Sequence, residues 1–465
     1  MNHVLKRSGY CLVASVFVLG CAERDEAPAS VRERASVPTE LMQVLTGSSE
    51  EVNVIVNFRE PALAPSERTV YTRDTRHRLE ARKVAGLTIT HRYGSVPAVA
   101  GRISRAALER LQDDPDVESI EIDREGGGQL REAVAAIGAD QVRNLYGLTG
   151  KGVRVAVLDT GLDTTHPDFG GAIVAQQCFT RGACPGFAST GSTANDDHNH
   201  GSNVAGVIGS RGVRAPRGFA PEVEFVSVKI NNSQNSGYES DWVSGLDWVY
   251  NNLATLKVKV INASIGTTQL HANDGSCDRS HTAMVRAIRN LTEAGVTVFT
   301  SSGNQGSRTS LPSPSCVTGA IAVGAVYDGN VGTQPSGGRT YRQLSSAFPA
   351  CSDAQTSLGV ITCFTNSNAR LDMVAPGAPI LSSGMRGGTT TFWGTSQASP
   401  AAAGVAALML QCNPSLTPAQ IKAHLQQSGV QTRDAKNGLS FPSIRALAAV
   451  RAACPDLAEE TASAP

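Results

Sequence analysis

The chain has 465 residues, too many for one small domain, so two or three domains are expected. Apolar residues make up 41% of it, enough for a large core, and 46 glycines with only 5% aromatics suit tightly packed sheet, helix and turn better than disorder. Lys plus Arg and Asp plus Glu balance at 41 each, so no charge excess points to nucleic acid or an anionic membrane surface as a partner.

The N-terminus reads as an export signal. Lys6 and Arg7 precede an apolar run from Cys11 to Leu19, too short to span a bilayer. The run closes in Val18-Leu19-Gly20-Cys21. Small residues before a cysteine resemble a bacterial lipoprotein cleavage site, with Cys21 as the lipid-bearing residue; an ordinary secretory signal cut nearby is the alternative. Residues 22–50, rich in Ala, Ser, Pro and charge, read as a flexible linker.

Residues 51–125 read as a small α+β unit. VNVIVNF is a strand, Thr72 to Val84 a helix, SVPAVAGRI a strand, AALERLQDD a helix and VESIEID a last strand. Gly126-Gly127-Gly128 marks a boundary. From about residue 130 to 455 the pattern changes. The apolar, β-branched runs VRVAVLD, FVSVKI, VKVINAS, VTVFTSS and AIAVGAV alternate with helical stretches, which predicts a parallel sheet covered on both faces. The tail, 456–465, reads as disordered.

Ten cysteines are present, and setting aside Cys11 and Cys21 leaves an even number in an exported chain, so disulfides are expected. Local spacing pairs Cys178 with Cys184 and Cys351 with Cys363. Cys412 and Cys454 close the C-terminal segment, and Cys277–Cys316 remains. No cysteine or histidine cluster has zinc spacing.

Working residues in such sheets collect at the carboxyl ends of strands. Asp159, in VAVLDTGLDTTHPDF, sits at one. Asp-Thr-Gly is also an aspartic-protease motif, but no second copy exists and that fold is all-β. A dinucleotide fold would need Gly-x-Gly-x-x-Gly here, and Asp-Thr-Gly-Leu-Asp lacks it. In DDHNHGSNVAGVIG a polar loop delivers His200 onto a small-residue helix, and His198, two residues earlier, is expected to be solvated. In GTSQASPAAAGVAALML, Ser396 opens an apolar helix with Pro400 read in its first turn. A serine needs a base, a histidine supplies one at neutral pH, and a carboxylate holds the imidazole in the useful tautomer. Asp159, His200 and Ser396 supply these roles. Each motif alone is more often a turn or a helix cap; their joint occurrence in order is what carries weight.

VAVLDTGLDTTHPDF, HGSNVAG and GTSQASPAAAG, in that order, resemble the subtilisin-like serine proteases, the subtilases, over about residues 130 to 455. The resemblance implies an α/β fold with a doubly wound, mostly parallel sheet, preceded by a small α+β propeptide domain at 51–125, whose LERLQDDPDVESIEID is similar to the family's usual propeptide ending. Such a propeptide aids folding, plugs the site and is cut away. The resemblance makes SSGNQG the loop of the oxyanion-hole asparagine, Asn304. It makes Ser264, Ile265 and Gly266 of NASIG a substrate-binding strand, with Ser236 and Gly237 on the opposite one.

Two positions depart from the family pattern: Asn203 replaces a second histidine, and Gln397 stands where methionine is common. No cofactor is needed for this chemistry. Many subtilases bind structural calcium after the histidine helix, where Asp168 could serve as a ligand, but Arg211, Arg214 and Arg217 are poor company for a cation. The expected partners are protein or peptide substrates and the chain's own propeptide. Nucleic acid is not expected, a membrane only through a lipid anchor, and the chain is expected to be a monomer. The rival reading is a catalytically silent binding module of the same fold.

Overall fold

A computed structural model describes residues 34–47, 51–123, 125–127, 135–329, 351, 353 and 356–457. Cys21 and the rest of the export signal lie outside them.

The N-terminal lobe is a four-stranded antiparallel sheet, β1 (Val52–Phe58), β2 (Leu87–Arg92), β3 (Ala98–Ile103) and β4 (Val117–Ile122), in the order β2-β3-β1-β4. Strand residues alternate faces. Val54, Val56 and Phe58 pack with α1 (Thr39–Gly47), α2 (Pro65–Ala81) and α3 (Arg105–Gln112), whereas Ile55 joins the core of the larger lobe. The linker expected at 22–50 is corrected here for its described part. Leu41 and Leu45, one helical turn apart, bury the same face of α1, and Ser36 bridges to Ser119. The polar composition of the segment hid that apolar stripe.

The larger lobe is built on a ten-stranded sheet. Its strands are β6 (Arg154–Asp159), β7 (Ile173–Cys184), β8 (Ala188–Gly191), β9 (Glu224–Lys229), β11 (Val258–Ala263), β13 (Thr297–Ser301), β15 (Ile321–Tyr327), β16 (Met373–Ala378), β19 (Val430–Arg433) and β20 (Ser440–Ser443). The order is β19-β20-β16-β15-β13-β11-β6-β9-β7-β8, parallel except at the two outer pairs. Among the described residues three short pairs lie outside it: β5 (Glu125–Gly127) with β10 (Ser236–Tyr238), β12 (Leu270–Ala272) with β14 (Ser310–Pro312), and β17 (Ile380–Ser383) with β18 (Thr389–Phe392).

The helices are α4 (Ala139–Tyr146), α5 (His200–Gly209), α6 (Glu239–Asn251), α7 (Leu253–Leu256), α8 (Ser276–Ser280), α9 (Thr282–Glu293), α10 (Thr395–Cys412), α11 (Pro418–Gln427) and α12 (Ala446–Ala453). They cover both faces, which is why the strands read as continuous apolar runs. In β6, Val155 and Val157 join the core of α5 and α10, and Ala156 and Leu158 that of α6 and α9.

The four expected cysteine pairs are joined: Cys178–Cys184, Cys277–Cys316, Cys351–Cys363 and Cys412–Cys454. Leu457 packs against the core, so the reading of disorder from residue 456 is corrected for residues 456 and 457; residues 458–465 lie outside the described residues.

Candidate active site

Asp159 ends β6, and His200 begins α5. Asn199, in the left-handed region at φ 84°, turns the chain into that helix. The helix can pack against the strand end because its residues are small: a Cβ on Gly201 would sit 2.0 Å from the Gly161 carbonyl oxygen. The result is a buried pair, His200 Nδ1 2.6 Å from Asp159 Oδ1. Asp159 Oδ1 also accepts the Thr160 N–H at 2.7 Å. A carboxylate so placed holds the proton on Nδ1 and leaves Nε2 as the basic atom. Nε2 has no hydrogen-bond partner in this structure; the contacts of a general base are often long before substrate binds.

Sequence reasoning missed what holds that pair. Asp196 is buried and accepts from the Thr160 hydroxyl, the backbone N–H groups of His198, Asn199 and Ser202, and the Ser202 hydroxyl. It joins the end of β6 to the open N-terminus of α5, whose first N–H groups have no helical acceptors. Asp three to four residues before a helix was the available signal. Lys229 Nζ, also buried, donates to the carbonyls of Thr160 and Asn231 and to Asp197.

Ser396 is the second residue of α10. Pro400 falls in the second turn of that helix rather than the first, so its missing N–H deprives the Ser396 carbonyl of its usual helical donor. Ser264 fills the gap: its hydroxyl donates to the Ser396 carbonyl at 2.7 Å. Asn262 donates to Ser264 Oγ at 2.9 Å and accepts from Ser399 at 2.7 Å. The turn carrying Ser396 is thereby bound to the end of β11. Ser396 Oγ itself lies 3.4 Å from the Ser264 carbonyl oxygen.

Asn304 follows β13. Its Oδ1 accepts from Thr395 N (2.9 Å) and Thr395 Oγ1 (3.0 Å), which commits the oxygen to Thr395 and turns Nδ2 away from it. The two departures noted in the sequence meet each other, because Gln397 Nε2 lies 3.5 Å from Asn203 Oδ1.

Ser264 and Ile265 are buried beyond the end of β11, and Ser264–Gly266 is irregular backbone rather than strand. Ser236 and Gly237 lie on β10, opposite Gly127 and Gly126 of β5. A Cβ on Gly237 would meet the Ile230 carbonyl oxygen at 2.4 Å. His198 is not solvated as expected. It is half-buried, its ring 6.3 Å from that of His200, and burial followed by the charge of His200 pushes it down to about 4.

Calcium does not fit at Asp168. Its buried carboxylate accepts from the N–H groups of Val213 (2.8 Å), Arg214 (2.8 Å) and Ala215 (3.1 Å) and from the Ser383 hydroxyl (2.8 Å). Burial disfavours the charge, but these donors outweigh it and hold the group below its ordinary value. Such a shell suits an anion, whereas calcium would need oxygen ligands there.

An open, mostly parallel sheet with a buried carboxylate–imidazole pair at a strand end, and a helix-start serine whose neighbour Gln397 reaches Asn203 of the histidine helix, is an architecture that serine hydrolases use. The subtilase family profile matches residues 150–442. An extracellular serine proteinase of Thermus sp. (strain Rt41A) is 29% identical over 90% of this chain and 94% of its own length. M-protease of Shouchella clausii (strain KSM-K16) is 32% identical over 74% of this chain and 76% of its own. A crystal structure of a cold-adapted subtilisin-like serine proteinase covers 64% of this chain and 90% of that one, at 26% identity and a TM-score of 0.47. The chain belongs to the subtilase family and is a serine endopeptidase.

Proposed function

We propose that the chain is an exported endopeptidase, made as a precursor that processes itself. Ser396 Oγ attacks the scissile carbonyl carbon while His200 Nε2 takes its proton. Asp159 stabilises the imidazolium. Asn304 Nδ2 and the Ser396 N–H donate to the oxyanion. His200 then protonates the leaving amine, and water, deprotonated by the same imidazole, releases the acyl group from Ser396. Substrate backbone lies along Ser236–Gly237 on one side and Ser264–Gly266 on the other. The carrying observation is the buried 2.6 Å Asp159–His200 contact, with the start of α5 linked to the Ser396 turn through Asn203 and Gln397, 3.5 Å apart.

The N-terminal lobe, residues 51–125, acts as the inhibitory propeptide. β5 laid on β10 supports this, because a strand occupying that edge excludes a substrate strand from it. Export rests on the Lys6-Arg7 and Cys11–Leu19 pattern, with Cys21 as a lipid attachment point, and on a relative whose name calls it extracellular.

Ser396→Ala tests the reading. Peptidase activity disappears and the precursor stays uncut in a host lacking other proteases. Normal maturation of that variant would refute self-processing, and a wild-type protein without turnover on casein would leave only the silent binding module.

A further inference from the structure

We propose that Arg181 and Ser240, beside Tyr238, form a subsite that selects an acidic substrate side chain, Asp above all, two residues N-terminal to the one paired with Tyr238. This deepens the endopeptidase reading and rests on it.

The pairing of β5 with β10 sets the register: Glu125 faces Tyr238, Gly126 faces Gly237 and Gly127 faces Ser236. Asp123 is two residues upstream of Glu125, a span of roughly 7 Å in an extended chain. Its side chain is fully buried. One carboxylate oxygen accepts the Ser240 N–H at 2.7 Å, in the open first turn of α6. The other accepts the Ser240 hydroxyl at 2.5 Å and the Arg181 guanidinium.

Arg181 belongs to the larger lobe. It stands on β7, in the hairpin closed by Cys178–Cys184, so it stays when the N-terminal lobe leaves. Its guanidinium carbon lies 3.9 Å from the centre of the Tyr238 ring, and Nη2 donates to Ser240 Oγ at 2.6 Å. Nε is buried without a partner. A backbone N–H, a hydroxyl and a stacked guanidinium converge on one point, which is a carboxylate site.

In the precursor Asp123 fills it. A peptide that pairs with β10 in the register of β5 and continues toward α6 brings its own side chain there. A neutral side chain leaves the guanidinium, whose side chain is 20% exposed even in the precursor, without a carboxylate partner, and a basic one meets like charge. Glu, one methylene longer, does not fit without displacement. The competitor is Asp241, whose carboxylate contacts His91 of the N-terminal lobe at 2.8 Å and loses that contact when the lobe departs.

The test uses mature wild-type enzyme and peptides with one cleaved bond. A single Asp is walked residue by residue along the N-terminal side, with Asn and Lys controls. One position is expected to raise kcat/KM about tenfold over Asn, mainly through KM, with the gain shrinking in high salt. Arg181→Gln, matured in trans if necessary, brings the Asp-to-Asn ratio at that position to within about twofold of one. If no position discriminates by more than about twofold in the wild type, the site serves the precursor alone and the proposal is wrong; that arm stands even if the variant does not fold. A preference that survives Arg181→Gln overturns it equally. Failure to cleave any peptide would instead remove the endopeptidase reading beneath it.

Discussion

The hydroxyl of Ser264 donates to the carbonyl oxygen of Ser396 at 2.7 Å, where Pro400 has no N–H to offer. Ser264→Ala leaves that buried carbonyl unsatisfied, so unfolding free energy is expected to fall by about 1–3 kcal/mol. Activity should fall too, because the carbonyl belongs to the proposed nucleophile. Adding Pro400→Ala restores a helical donor and should recover part of the stability. A double-mutant cycle by denaturant unfolding checks this; strictly additive losses would show that Ser264 does not substitute for the missing donor.

His200 and His198 should part company in kinetics. His200→Ala is expected to lose nearly all kcat, leaving the residual about 10³–10⁴-fold over water from the oxyanion hole and binding. His198, pushed down to about 4, is neutral at working pH and does not contact Asp159, so His198→Ala should stay within about fivefold of wild type. kcat/KM for both variants on one peptide, after maturation in trans, decides. The reverse ranking would unseat the assignment of the base.

Asp168 holds its loop with protein donors. Asp168→Ala, which strands the N–H groups of Val213, Arg214 and Ala215, should therefore cost at least about 2 kcal/mol, and as much with EDTA as without it. A cost that disappears in EDTA would mean that a cation sits at Asp168.

Glu121 is expected to make the lobe contact proton-dependent. Its carboxylate accepts from the α9 N–H groups of Thr282 (2.8 Å) and Ala283 (3.2 Å) and from Asn57 (3.2 Å). Around it lie Glu239 and His281, themselves in contact at 2.8 Å, and His271, whose Nε2 is 2.9 Å from that of His281. Burial, followed by the charge of Glu239, raises Glu121 from 4.5 to about 7. A raised folded-state value means that the stabilisation is full below about pH 4.5 and is lost as pH climbs through about 7. Glu121→Gln keeps an amide oxygen for α9 but cannot titrate. In the uncut Ser396→Ala precursor, Tm between pH 5 and 7.5 should therefore fall more steeply with Glu121 than with Gln at this position. Equal slopes would remove Glu121 as the titrating group.

The sequence by itself determined the sheet, because buried parallel strands must be apolar on both faces and Val155 to Leu158 read that way. It also placed the candidate groups, since Asp159, His200 and Ser396 sit in motifs whose local turns are written in adjacent residues. The cysteine pairs followed from spacing and elimination. Tertiary structure alone decided how those groups are held. Asp196 reaching Thr160, Thr395 orienting Asn304, Ser264 completing Ser396 and Val213–Ala215 enclosing Asp168 each join residues distant in the chain. Such contacts leave no period in the sequence, because a polar side chain reads the same whether it meets water or a partner. Residues 34–47 show this most simply: the helix spacing of Leu41 and Leu45 was present, but only the sheet of β1 to β4 gave that stripe a surface to bury against.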